Sequence, residues 1–101
     1  MRPPPFVVCQ KRTERVPVLS AFFGIIIRMF YNEHEPPHFH AEHQGQHGKF
    51  DMMGEMIVGG IQSRTALRLI REWAQLHERE LQRNWELVKS SRPLEHIEPL
   101  Q

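Results

Sequence analysis

Between Arg64 and Ser90 the chain runs through 27 residues without a proline or a glycine, the two residues that most readily interrupt a helix. Ser63 stands in front of this run as an N-cap, because its hydroxyl can accept from one of the first unpaired helical N–H groups. Leu67, Ile70, Ala74, His77 and Leu81 recur at spacings of three and four, which places them on one buried stripe. A continuous helix of this length would extend about 40 Å at 1.5 Å per residue, too long for a chain of 101 residues. The run therefore predicts one long bent helix or two consecutive C-terminal helices, with the break between Gln75 and Glu80. Leu81, Trp85 and Val88 then face the core from the second segment, and Trp73 and Trp85 are expected to anchor that core.

What precedes the helical run reads as sheet. Leu19 to Tyr31 is rich in β-branched and aromatic residues and predicts one long strand. In it Phe23, Ile25, Ile27, Met29 and Tyr31 share a face and Phe22, Gly24, Ile26, Arg28 and Phe30 share the other. His38 to His43 makes a second strand, Gln44-Gly45 suits a hairpin turn, and Lys49 to Met52 alternates as a third strand with Phe50 and Met52 inward. Glu55 to Val58 offers a fourth before Gly59-Gly60. After Pro93, Ile97 and Leu100 are positioned to return to the sheet as an edge strand whose length the prolines limit. The expected fold class is α+β, a small antiparallel β-meander packed against the C-terminal helices in a single domain over residues 16–101.

Charge and cysteine content narrow the function. Residues 1–15 are proline-rich and then basic, with four cations against Glu14, and they hold a net charge of +3 out of a total of +1. They read as a mobile tail, and the remainder, net −2, is a poor nucleic-acid ligand by charge alone. Cys9 is the only cysteine, so an internal disulfide and a thiolate zinc site are both excluded. No apolar run approaches the roughly 20 residues of a membrane helix, and Phe6-Val7-Val8-Cys9 is too short for a signal-peptide core. The expected location is the cytoplasm, with no membrane association.

Chemistry concentrates in Tyr31-Asn32-Glu33-His34-Glu35-Pro36-Pro37-His38-Phe39-His40-Ala41-Glu42. In an extended strand, side chains two apart share a face, so His38, His40 and Glu42 line up together. The paired prolines stiffen the approach, and His34 is expected to be carried back over the same face. Neutral imidazoles suit Zn²⁺, Ni²⁺, Cu²⁺ or Fe²⁺, which makes His34, His38 and His40 the candidate metal ligands and Glu42 a fourth ligand or a base. Without a metal, His38, His40 and Glu42 are the candidate acid–base residues. Arg64, Arg68 and Arg71 form a basic stripe on the first helical segment; with Arg28 and Tyr31 they are the candidate contacts for nucleic acid or a partner.

These motifs resemble a family of small bacterial proteins catalogued as a domain of unknown function. The resemblance runs from Val16-Pro17-Val18-Leu19-Ser20-Ala21-Phe22-Phe23-Gly24-Ile25 through the His-x-Pro-Pro-His-Phe-His element. It continues through Arg64-Thr65-Ala66-Leu67-Arg68-Leu69-Ile70-Arg71-Glu72-Trp73-Ala74, Leu81-Gln82-Arg83-Asn84-Trp85 and Ile97-Glu98-Pro99-Leu100, in all about 85 residues. Similar proteins begin with a methionine where Val16 stands here, and a valine codon can start translation in bacteria, so the resemblance implies that residues 1–15 are an upstream extension. It also implies a bacterial cytoplasmic protein encoded beside another small protein in toxin–antitoxin-like gene pairs. It implies no reaction.

Three functions follow as expectations. The first is a binding component of a toxin–antitoxin-like or gene-control module, with a small neighbouring protein, nucleic acid or a second copy of the chain as partner. The second is a histidine metal site holding Zn²⁺ or another transition metal. The third is a metal-dependent or metal-free ribonuclease or hydrolase using the His34/His38/His40 cluster, with Tyr31 or Arg28 assisting.

Overall fold

A computed structural model describes residues 17–101 of the protein; the tail expected over residues 1–15 lies outside the described residues. Five strands, β1 (Val18–Phe22), β2 (Ile25–Arg28), β3 (His38–His43), β4 (Gln46–Asp51) and β5 (Met56–Gly59), precede two helices, α1 (Arg64–Leu76) and α2 (Glu78–Lys89). The sheet order is β1-β2-β3-β4-β5 and every neighbouring pair is antiparallel. The fold is α+β, a meander followed by two helices, as the sequence pattern predicts.

The single long strand expected from Leu19 to Tyr31 is instead a hairpin. Phe23 and Gly24 both have positive φ, 49° and 78°, the conformation of a two-residue turn whose twist matches the flanking strands. Phe22 then lies directly opposite Ile25, and cross-strand partners share a face. Both are therefore buried, while Phe23 at the turn is 61% exposed. A glycine inside an apolar run was the available turn signal. Gln44 and Gly45 repeat the arrangement between β3 and β4, with φ of 51° and 78°.

One face of the sheet carries the core. Phe39 stacks on Phe50 across β3 and β4 at 5.4 Å, and Trp73 of α1 meets Phe39 at 5.8 Å and Phe22 at 5.5 Å. Leu19, Ile25, Ile27, Met29, Ile70 and Leu81 complete it with essentially no exposure. Ser63 caps α1 by accepting from the Ala66 N–H at 3.1 Å. The break falls at His77, which ends α1 with its own N–H on the Trp73 and Ala74 carbonyls and begins α2, where Glu78 and Glu80 complement the positive helix end. Leu81, Trp85 and Val88 are buried as expected, whereas Leu67 and His77 are only half-buried.

The C-terminal segment returns to β1, but not as a regular strand. Ile97 is buried and its N–H donates to the Leu19 carbonyl at 2.9 Å, and Pro99 has no N–H with which to continue a ladder. Side chains hold the segment instead. Trp73 donates its indole N–H to the Glu98 carbonyl at 2.9 Å, and buried Asn84 donates to the Glu95 carbonyl at 3.0 Å while accepting from the Glu95 N–H at 2.7 Å.

The turn after β4 packs against α1. Asp51 accepts from the Met53 and Glu55 N–H groups at 2.9 and 3.0 Å, and Gly54, at φ +91°, sits where a Cβ would lie 2.6 Å from the Arg71 Cα. Gly45 has similar φ, +78°, but nothing within 4 Å. Gly45→Ala should cost about 1 kcal/mol, the left-handed strain alone, and Gly54→Ala at least about 1 kcal/mol more because helix backbone must move. Urea unfolding of the two variants measures the difference; equal losses would show that this contact is not tight.

Candidate functional site

The chain leaves β2 and turns through Asn32, whose φ is 67°, a left-handed conformation that asparagine tolerates well. That turn directs Glu33 back over the start of β3. The next residues are held by α2: Glu35 pairs with Lys89 and accepts from the Trp85 indole N–H at 3.3 Å. The Glu35–Pro36 peptide is cis. The Pro36 carbonyl lies 2.9 Å from His38 Nδ1, and because a carbonyl only accepts, Nδ1 carries the proton. The other ring nitrogen, Nε2, points to Glu33 Oε1 at 2.5 Å.

His38 is 2% exposed, set between the Trp85 ring at 5.1 Å and the His40 ring at 5.2 Å. His40, two residues on and on the same face of β3, lies against Phe30 at 4.4 Å. Its Nε2 is 3.6 Å from Glu33 Oε1, too far for a hydrogen bond, and is buried with no hydrogen-bond partner among the described residues. Glu33, His38 and His40 thus converge, each offering one ligand atom, all within 4.8 Å of one another.

The structure corrects the expected donor set. His34 is exposed and outside the group, because the turn at Asn32 carries the preceding residue, Glu33, over the face. Glu42 lies on the face shared with His38 and His40 but is engaged by Arg28, whose Nε–H donates to Oε2 at 2.9 Å; His47 approaches the same oxygen at 4.0 Å. Tyr31 donates its O–H to the Arg92 carbonyl at 2.6 Å. Arg64, Arg68 and Arg71 are exposed on α1, which covers the opposite, core face of the sheet, and Arg71 and Arg68 lie 3.6 and 4.0 Å from Glu55 and Glu72. The arginine stripe and the histidine site therefore belong to different sides of the molecule. Glu33 and Asn84 are the two functional or organising residues that periodicity did not reveal; the signal for Glu33 was the turn-forming Asn32 before it.

Burial pushes the Glu33 carboxyl up, but the hydrogen bond from His38 and the positive fields of His38 and His40 outweigh it and hold the group below its ordinary 4.5. Burial pulls the His40 imidazole below its ordinary 6.5; the Glu33 carboxylate opposes this, while His38 and Lys49 reinforce it. His40 is accordingly a neutral base with an available lone pair at neutral pH, next to an anionic carboxylate.

Two imidazoles and a carboxylate on an antiparallel meander define a class of small α+β protein with a candidate metal or acid–base centre. Residues 24–86, more than half of the chain, match the model of the family described as a domain of unknown function (DUF4160). The protein belongs to that family. No curated protein and no solved structure matches the chain. Among the described residues, no helix is long and apolar enough to cross a membrane.

The two depressed pKa values set the direction of the acid response. A group whose folded value lies below its unfolded one stabilises the fold above the unfolded value and loses that contribution as pH falls through the folded value. For His40 the loss begins as pH drops below 6.5 and for Glu33 below 4.5. In metal-free buffer, the native protein should lose more stability between pH 7.5 and 5.5 than His40→Gln, as read by urea midpoints. Parallel losses would show that His40 is not held neutral.

Proposed function

We propose that the Glu33–His38–His40 group is a transition-metal site and that the protein acts as a metal-holding binding component of a toxin–antitoxin-like or gene-control module. The observation that carries the metal reading is the orientation of His38. Its Nδ1–H is fixed on the Pro36 carbonyl, which leaves Nε2 as the nitrogen aimed at the group, the arrangement that metal-ligating histidines adopt. The unpartnered Nε2 of His40 supplies a second lone pair, and Glu33 an anionic oxygen.

The dimensions are near those an ion requires. Ligand bonds of about 2.0–2.2 Å separate neighbouring donor atoms by about 3.0–3.5 Å. The Glu33 oxygen is 2.5 Å from His38 Nε2 and 3.6 Å from His40 Nε2, so a small rotation of the half-exposed Glu33 carboxylate suffices. A proton lies in the His38–Glu33 hydrogen bond, and a cation entering there displaces it, which makes binding stronger as pH rises. Two imidazoles and one carboxylate leave coordination positions open and suit Zn²⁺ or Fe²⁺.

Support for a protein partner is of a different kind. It rests on the resemblance to proteins encoded in pairs and on β5, the last strand of the described sheet, where Ile57 and Val58 are 52% and 62% exposed along an edge strand. A hydrolytic role, including a ribonuclease, draws on the same reading: three protein ligands would leave a coordination position for water, and a bound Zn²⁺ would lower the pKa of that water.

Untagged protein titrated with Zn²⁺ by calorimetry tests the site, and co-expression with its neighbouring gene tests the partner in the same preparation. One equivalent should bind, Glu33→Gln and His40→Gln should each weaken binding at least about tenfold, and His34→Gln should leave it unchanged. Loss in His34→Gln but not in Glu33→Gln would overturn the assignment.

A further inference from the structure

The face of β3 that carries His38 and His40 also carries cations on both neighbouring strands. Arg28 of β2 and Lys49 of β4 are the direct cross-strand partners of His40, and directly opposed residues point to the same side with Cβ atoms about 5 Å apart. Among the described residues, neither helix is seen over this middle stretch: α1 packs on the other face, and α2 meets the His38 end through Trp85. Beyond Lys49, its own cross-strand partner Val58 is 62% exposed, and His47, two residues from Lys49 on the same face of β4, has a side chain 71% exposed.

The two cations differ in what holds them. Arg28 is paired with Glu42 at 2.9 Å, so its charge is fixed beside His40 and balanced. Lys49 is half-buried, and among the described residues no carboxylate forms an ion pair with it. Asp51, on the same face of β4, has its carboxylate turned to the Met53 and Glu55 N–H groups. Lys49 therefore presents, directly across from His40, an ammonium that no carboxylate among the described residues neutralises.

We infer that this open strip of sheet is an anion subsite, in which Lys49, with Arg28 on the other flank of His40, holds a phosphate group against the metal position. The inference deepens the proposed metal site and rests on it for the inner contact of the anion. Charge favours a phosphate. Arg28 and Glu42 cancel, and a divalent ion with Glu33 and Lys49 leaves two positive charges, the complement of a hydrogen phosphate dianion or a phosphate monoester. An ammonium on a flexible stem serves such a ligand as a point charge that can follow any of its oxygens.

Co²⁺ reports both parts separately, since its visible spectrum reads metal binding and changes again when an anion enters the shell. Native protein should take up one Co²⁺, and inorganic phosphate should then shift the bands saturably. Lys49→Gln should weaken phosphate about tenfold or more, the worth of a charged hydrogen bond, with Co²⁺ affinity changed less than about threefold, and Lys49→Arg should restore most of the loss. Co²⁺ uptake with no phosphate response, or a response equal in Lys49→Gln, would overturn the subsite and leave the metal site standing. If Co²⁺ does not bind, amide shifts of His40 and Lys49 on adding phosphate in nitrogen–proton NMR spectra decide the matter. Shifts lost in Lys49→Gln would keep the anion subsite without its metal, and the absence of shifts would remove both.

Discussion

Trp73 is where the three parts of this protein are joined. Its ring sits on Phe22 and Phe39 and so seats α1 on the sheet, and its indole N–H holds the Glu98 carbonyl and so draws the last residues back beside β1. It is wholly buried, and a side chain of that size contributes several kcal/mol of apolar burial. Because its only polar atom is hydrogen-bonded, that burial carries no desolvation penalty. A domain this small has one core, and the core is arranged around this ring.

Seating α1 on one face also means that, among the described residues, this helix does not cover the face that carries His38 and His40. α2 does not cover it; the helix reaches around the end of β3, where Trp85 meets His38 and Glu35 is held by Trp85 and Lys89. The loop between β2 and β3 is thereby fixed at the point where Glu33 meets the two imidazoles. Packing thus produces a site whose floor is rigid and whose outer side faces solvent, with His38 buried and Glu33 and His40 half-exposed. The fold thus locks one side chain of the group and leaves the other two able to adjust.

Polar groups inside the fold follow the same economy. Asn84, 1% exposed, uses both ends of its amide on the Glu95 backbone, so the C-terminal segment gains two hydrogen bonds where no ladder can form. His38 uses both ring nitrogens. Three groups depart from it among the described residues: Ser20 Oγ, His43 Nδ1 and, within the site, His40 Nε2 are buried with no hydrogen-bond partner, and each such group costs stability.

By itself the sequence determined the helices, the hairpin of β3 and β4 and most of the core. The absence of glycine and proline from residue 64 to 90, the cap at Ser63 and the break near His77, the turn at Gln44-Gly45 and the inward faces of Phe50, Trp73 and Trp85 are local consequences of propensity and periodicity. It also marked the segment in which the site would form. Only the tertiary structure decided that Phe23-Gly24 is a turn and not the middle of a strand, that Ile97 returns to β1 without becoming a strand, and that Glu33 takes the place expected for His34. Each of these depends on contacts between residues distant along the chain, or on a single left-handed residue that redirects everything after it. Alternation along a strand can say which side chains share a face; it cannot say which residue of a loop is carried back to meet them, because that is set by where a helix 50 residues later, through Trp85 and Glu35, holds the loop down.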